Sequence, residues 1–190
     1  LADCFGLRLL NRRGCFPQFD KFIEQTKDVW THLVDIRKSF EPRAEELARK
    51  YALAPYTMFI GSGALWGETI LFSMCILEEM QWKRTRYITS ADFFHGTLEL
   101  VEPGVPVFLF MGEDENRKLD ERVRAFLTRG VTGDTDINII DTAEFAIPGL
   151  DDEFRVIVSP WILSSLVTDR LAAYYETVTK HNLNYRRYYH

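Results

Sequence analysis

A three-layer α/β/α sandwich around a five-stranded parallel sheet, preceded by a helical leader, is the fold class this sequence predicts. Two observations carry it. After Pro55, short continuous apolar runs alternate with amphipathic stretches, and the runs are too apolar to leave one face wet. Strands of that kind are covered on both faces, as parallel sheets are.

The elements follow in order. Residues 1–50 read as helix: Phe19, Phe22, Ile23 and then Val29, Trp30, Leu33, Val34 recur at three- and four-residue spacing between charges. Pro17 suits a helix start, and Pro42 suits the first turn of a second helix through Lys50. These residues form a helical leader or interdomain linker; the opening Leu1–Leu10 has the pattern of a helix whose beginning lies elsewhere. The sandwich occupies residues 51–190. Its five strands are Tyr56–Ile60, Arg86–Thr89, Val105–Met111, Ile137–Ile140 and Val156–Val158. Between them lie a long apolar helix over Ala64–Leu77 and an amphipathic helix over Arg117–Leu127, and a helix over Asp169–Lys180 closes the series after Pro160.

Composition narrows the function classes. The 190 residues suffice for one domain with a core, and 46% hydrophobic content argues against global disorder. A net charge of −5 argues against a nucleic-acid-binding face, which needs concentrated positive charge. The three cysteines, Cys4, Cys15 and Cys75, form no CxxC pair, which fits a reducing cytoplasm. No signal peptide is evident, and the Ala64–Leu77 run is too short to span a bilayer, so the expected protein is soluble and without a membrane partner. No metal or other cofactor is expected, because no second His or Cys stands at ligand spacing from His95.

Two residues point to catalysis. Glu79 ends the apolar run and, on an α-helix, shares a face with Phe72, Cys75 and Ile76; His95 sits in the tight segment Ala91–Thr97. Carboxylates held among apolar side chains hold their protons more readily, and imidazole titrates near neutrality, so such a pair can shuttle protons. The structural alternative for Glu79 is a helix-end carboxylate paired with Lys83 or Arg84. Gly61, Ser62 and Gly63 follow the first strand and open a helix, which makes them either an anion cradle or a tight turn. After the third strand, Gly112-Glu113-Asp114-Glu115 would stabilise a helix start and repel a phosphate.

Taken together, Gly61-Ser62-Gly63, the helix end Leu77-Glu78-Glu79-Met80-Gln81-Trp82 and the segment Ser90-Ala91-Asp92-Phe93-Phe94-His95-Gly96-Thr97-Leu98-Glu99 resemble a sugar isomerase (SIS) domain, a flavodoxin-like fold. More narrowly, they are similar to the second SIS domain of fructosamine-6-phosphate deglycases of the fructoselysine-6-phosphate deglycase type. These are relatives of the isomerase half of glucosamine-6-phosphate synthase. The likeness runs from about Pro55 through Phe108–Glu115 to Arg186-Arg187-Tyr188-Tyr189.

The resemblance implies an enzyme that cleaves a 6-phosphorylated Amadori product to glucose 6-phosphate and an amino acid. Glu79 would move a proton between C1 and C2, and His95 would serve as the acid–base catalyst at oxygen or nitrogen. It also implies a homodimer or higher homo-oligomer, with His95 available to a neighbour's Glu79. A first SIS domain that carries the phosphate loop is expected outside this chain, together with a tail beyond Arg187. The chain alone is then expected to be a weak or inactive catalyst. Two other readings stand beside this one: an aldose–ketose sugar-phosphate isomerase, and a non-enzymatic sugar-phosphate sensing module.

Overall fold

The computed structural model of the chain describes residues 2–130, 133 and 135–188. Leu1, Tyr189 and His190, which belong to the opening-helix and closing-tail readings, lie outside them. Three helices come first: α1 (Ala2–Arg12), α2 (Phe19–Thr26) and α3 (Val29–Tyr51). The sheet contains β1 (Tyr56–Gly61), β2 (Arg84–Ile88), β3 (Val107–Met111) and β4 (Ile137–Asp141), all parallel, in the order β2-β1-β3-β4. Among the described residues, this is the flavodoxin-like order without its fifth strand.

The side-chain alternation of the strands divides the core in two. Met58 and Ile60 of β1, with Val107, Leu109 and Met111 of β3, face Phe93, Val123 and Leu127 from α5 (Ser90–Phe93) and α6 (Arg117–Leu127). Phe59, Phe108 and Phe110 point the other way. There Phe59 stacks on Phe108 at 5.2 Å and meets Phe72 edge-on at 5.5 Å, while Tyr51 of α3 meets Phe108 at 5.8 Å. Helices thus cover both faces, as an all-parallel sheet demands.

The fifth strand is a correction. Val156-Ile157-Val158 lies inside α7 (Asp152–Leu163), which continues through a π-helical segment (Ser164–Leu171) into α8 (Ala172–Thr179) as one helix. Three β-branched residues read alike in a strand and in a helix. What decides is the spacing of the buried residues Phe154, Val158 and Ile162, one turn apart, and the acids Asp152 and Glu153 at the start. Pro160 does not end the helix. The Val156 carbonyl that it deprives of a donor accepts a hydrogen bond from the Ser159 hydroxyl at 3.3 Å. The helix expected over Asp169–Lys180 is therefore the end of this longer one. By length and composition Asp152–Thr179 could cross a bilayer, but Phe154, Val158, Ile162, Leu166 and Leu171 are buried in the core.

Pro42 is a second correction, since it lies within the single 23-residue helix α3. The acceptor that it frees, the Lys38 carbonyl, belongs to an exposed residue that water can serve. The buried face of α3, from Val29 through Leu33, Phe40 and Ala44 to Tyr51, packs against the π-helical segment and α8.

The apolar helix after β1 differs from a plain α-helix too. A 3-10 turn (Gly63–Leu65) leads into α4 (Trp66–Ile70), which passes without a break into a π-helical segment, Leu71–Met80. Its end is secured by the Gln81 N–H, which donates to the Ile76 carbonyl at 3.0 Å in the i→i+5 pattern.

Candidate active site

Glu79 stands at the end of that π-helical segment. The wider winding buries Phe72, Ser73, Ile76 and Leu77 and turns Glu79 outward, so its side chain is 36% exposed. The apolar enclosure expected from α-helical spacing is not what surrounds it. Its Oε1 instead accepts a hydrogen bond from Arg186 Nε at 2.9 Å. Arg186 is fixed in turn, because its Nη1 donates to the carbonyls of Leu183 and Tyr185 at 2.8 and 2.9 Å. Among the described residues, Glu79 Oε2 has no protein partner.

The C-terminal segment is brought here by a residue whose role the sequence did not reveal. Gln81 is buried; its amide donates to the His181 carbonyl at 2.6 Å, and its oxygen accepts from the Thr179 hydroxyl at 2.7 Å. Trp82 follows in the left-handed region, with φ of 53°. Its ring meets His181 at 4.3 Å and lies 4.2 Å beneath the Arg187 guanidinium. A large side chain in that backbone region is strained, and strain of this kind gathers at functional sites.

Glu79, Trp82, Arg186 and Arg187 border a cavity of about 710 Å³ at the N-terminal end of β2. Its charged lining comprises Glu78, Glu79, Lys83, Arg84, Arg186 and Arg187; Met74, Trp82 and Tyr188 complete the wall. Glu78 accepts from the Thr85 hydroxyl at 2.6 Å. The expected alternative pairing of Glu79 with Lys83 or Arg84 is not formed, and the partner is Arg186.

His95 lies beyond the other end of the same strand. Thr89 caps α5 by accepting from the Asp92 N–H at 3.1 Å, and the His95 N–H donates to the Asp92 carbonyl at 2.9 Å. The His95 side chain is exposed, and no residue between Thr89 and Leu100 lines the Glu79 cavity. β2, whose five residues span about 16 Å, separates the two groups within one chain.

Gly61, Ser62 and Gly63 also lie at the C-terminal ends of the strands, away from Glu79. The Ser62 hydroxyl and the amide that follows the turn are already engaged. Ser62 Oγ accepts from the Ser90 N–H at 2.7 Å, and the Ala64 N–H donates to Asp114 Oδ2 at 2.5 Å. A Cβ on Gly63, which has φ of 54°, would fall onto the Asp114 carboxylate, and one on Gly61 would meet Thr69 Oγ1. The anion position of this turn is thus taken by the protein's own carboxylate.

Three more acidic residues close this edge. Glu113 is paired bidentately with Arg155 of α7 at 2.5 and 2.7 Å, both side chains nearly buried, rather than resting at the start of α6. Asp141 of β4 accepts two hydrogen bonds from Arg117, at 2.9 and 2.6 Å. Asp120 is 1% exposed and accepts from the Ser90 hydroxyl at 2.5 Å and the Gly112 N–H at 3.3 Å. Burial pushes its carboxyl up to about 6, and the two hydrogen bonds only partly oppose this. Among the described residues, no three His, Cys, Asp or Glu side chains are grouped to hold a metal ion.

No family model matches the chain. It is 28% identical to fructosamine deglycase FrlB of Bacillus subtilis over 188 residues, and 30% identical to the fructoselysine 6-phosphate deglycase of Escherichia coli over 194 aligned positions. These matches cover 97% and 100% of this chain and 54% of each relative, so the chain spans about half their length. In structure, it superposes with a TM-score of 0.86 on a protein from Salmonella typhimurium described as a candidate phosphosugar isomerase. That protein is 27% identical, and the match covers 96% of this chain and 55% of that one. In sequence over nearly its whole length and in overall fold, the chain resembles the fructosamine-6-phosphate deglycases and, more widely, the SIS phosphosugar isomerases.

Proposed function

We propose that this chain is the catalytic SIS half of a cytoplasmic fructosamine-6-phosphate deglycase. The net reaction takes a 6-phosphorylated ketosamine and water to glucose 6-phosphate and a free amino acid. Glu79 removes a proton from C1 to give the enolamine and returns it at C2, which leaves an imine at C1. Water adds to C1, and the C1–N bond breaks as the departing nitrogen is protonated. His95 handles the protons on oxygen and nitrogen, a task suited to an imidazole, which can accept a proton at one ring nitrogen and donate one from the other.

The observation that carries this reading is the position of Glu79. It borders a cavity of about 710 Å³ lined by charged side chains, is held by Arg186 through one oxygen and, among the described residues, has no protein partner at the other. The separation of Glu79 and His95 by the length of β2 supports a site completed between subunits, with His95 serving a neighbour's Glu79 in a symmetric dimer. The engaged turn at Gly61, Ser62 and Gly63 is assigned to holding the sheet edge, which leaves the phosphate to the half of the relatives' length that this chain does not span.

The test is product analysis on the full-length protein given fructoselysine 6-phosphate. Lysine and glucose 6-phosphate should appear in equal amounts, and Glu79→Gln should lower turnover roughly 10²–10⁴-fold while substrate still binds. An aldose–ketose isomerase, the reading favoured by the description of the Salmonella neighbour, would interconvert fructose 6-phosphate and release no lysine.

A further inference from the structure

We infer that Lys83 and Arg187 hold a carboxylate of the amino-acid part of the substrate, which makes the enzyme selective for sugars carrying an acid-bearing amine. The inference rests on the deglycase reading and deepens it, because it assigns residues to the leaving group rather than to the sugar.

The cavity beside Glu79 has a charge of its own. Four cations and two carboxylates border it, in a chain whose net charge is −5. Arg186 is spent on Glu79, and Glu78 is bound by Thr85. Among the described residues, Lys83, Arg84 and Arg187 have no carboxylate partner. By contrast, other part-buried arginines of the fold are held by carboxylates: Arg155 by Glu113, Arg117 by Asp141 and Arg170 by Glu41. Three cations without a carboxylate partner among the described residues thus share this one concavity.

Two of the three are more than loose surface charges. Arg187 is held with its guanidinium 4.2 Å above the Trp82 ring, and Trp82 is in turn backed by His181 at 4.3 Å, which Tyr185 meets at 5.3 Å. A guanidinium stacked in this way keeps its N–H edge free for a planar, two-oxygen acceptor. Lys83 is part-buried, and burial lowers its ammonium below the ordinary lysine value. A cation that has lost water without gaining a partner recovers that cost when an anion arrives.

Location distinguishes the carboxylate from the phosphate. The cations share a cavity with Glu79, the group assigned to C1 and C2, and the amine is carried on C1. The phosphate sits at the other end of the six-carbon chain, so an anion bound near Glu79 belongs to the amine side.

Two ligands that differ only in this group test the inference. They are 1-deoxy-1-glycino-fructose 6-phosphate and its decarboxylated counterpart, 1-deoxy-1-methylamino-fructose 6-phosphate. Binding is measured by calorimetry to the full-length protein carrying Glu79→Gln, so that neither ligand is consumed. The glycine derivative should bind about tenfold tighter. Adding Lys83→Met or Arg187→Met should abolish that preference with affinity for the methylamine derivative unchanged, and Lys83→Arg should restore it. Equal binding of the two ligands, no binding of either, a preference that survives both variants, or variants that weaken both ligands alike would overturn the assignment. Turnover by the unmutated protein separates the two claims. Preference for the carboxylate without amine release overturns the deglycase reading alone, whereas amine release without preference overturns only the carboxylate site.

Discussion

Arg186 Nε and Glu79 Oε1 lie 2.9 Å apart although 107 positions separate them in the chain. The contact ties the C-terminal segment to the end of the π-helical turn and fixes which way the carboxylate faces. The exposure of both groups limits its value as a stability element to less than about 1 kcal/mol. Its consequence is positional. Arg186→Met should leave thermal unfolding nearly unchanged, raise amide exchange over residues 183–188, and lower kcat/KM roughly tenfold. A large fall in melting temperature with unaltered exchange in the tail would contradict a positioning role.

Asp120 makes stability depend on pH. Its carboxyl titrates near 6 in the fold because burial penalises the charge, against 3.8 for the ordinary group. The folded state therefore binds the proton more tightly, so this contribution is complete below about pH 4 and is lost as pH rises through 6. The loss amounts to about 2–3 kcal/mol. Asp120→Asn can still accept from Gly112 and can donate to the Ser90 hydroxyl, without the charge. Urea unfolding should show the variant more stable than wild type at pH 8 and little different at pH 4. An equal difference at both pH values would refute the argument.

Asp114 caps two backbone donors, Ala64 N–H at 2.5 Å and Asn116 N–H at 2.7 Å. Replacing it with alanine leaves both to water, and the expected cost is about 1–2 kcal/mol in denaturant unfolding. Activity per folded molecule should be preserved, because this carboxylate is engaged by the chain's own backbone amides rather than offered to substrate. A selective loss of turnover would return the Gly61–Gly63 turn to the substrate site.

Four strands and the helices between them were legible in the sequence because their apolar runs are bounded by Pro, Gly and charge. The fifth was misread at Val156–Val158, where the deciding signal, Phe154 to Ile162 at one-turn spacing, extends beyond the run itself. Glu79 and His95 could be singled out by residue type and neighbourhood, but the surroundings of Glu79 could not. An α-helical wheel places it with Phe72 and Ile76, and no pattern at Leu71–Met80 announces the π winding. Gln81 was equally silent: a buried glutamine bonded to His181 and Thr179 looks like any surface residue until the chain has folded. Long-range pairs such as Arg186–Glu79 and Arg155–Glu113 are properties of tertiary structure and leave no spacing signal.

Complementation between two inactive variants is the most direct test of the account. Full-length Glu79→Gln and His95→Ala proteins are each expected to lack deglycase activity. When they are unfolded together and refolded in equal amounts, about half of the dimers carry one chain of each kind. If His95 serves the neighbour's Glu79, every such dimer holds one intact site, and the mixture should recover about a quarter of wild-type lysine release. A mixture as inactive as its parents, beside an active wild type refolded in the same way, would contradict the shared site.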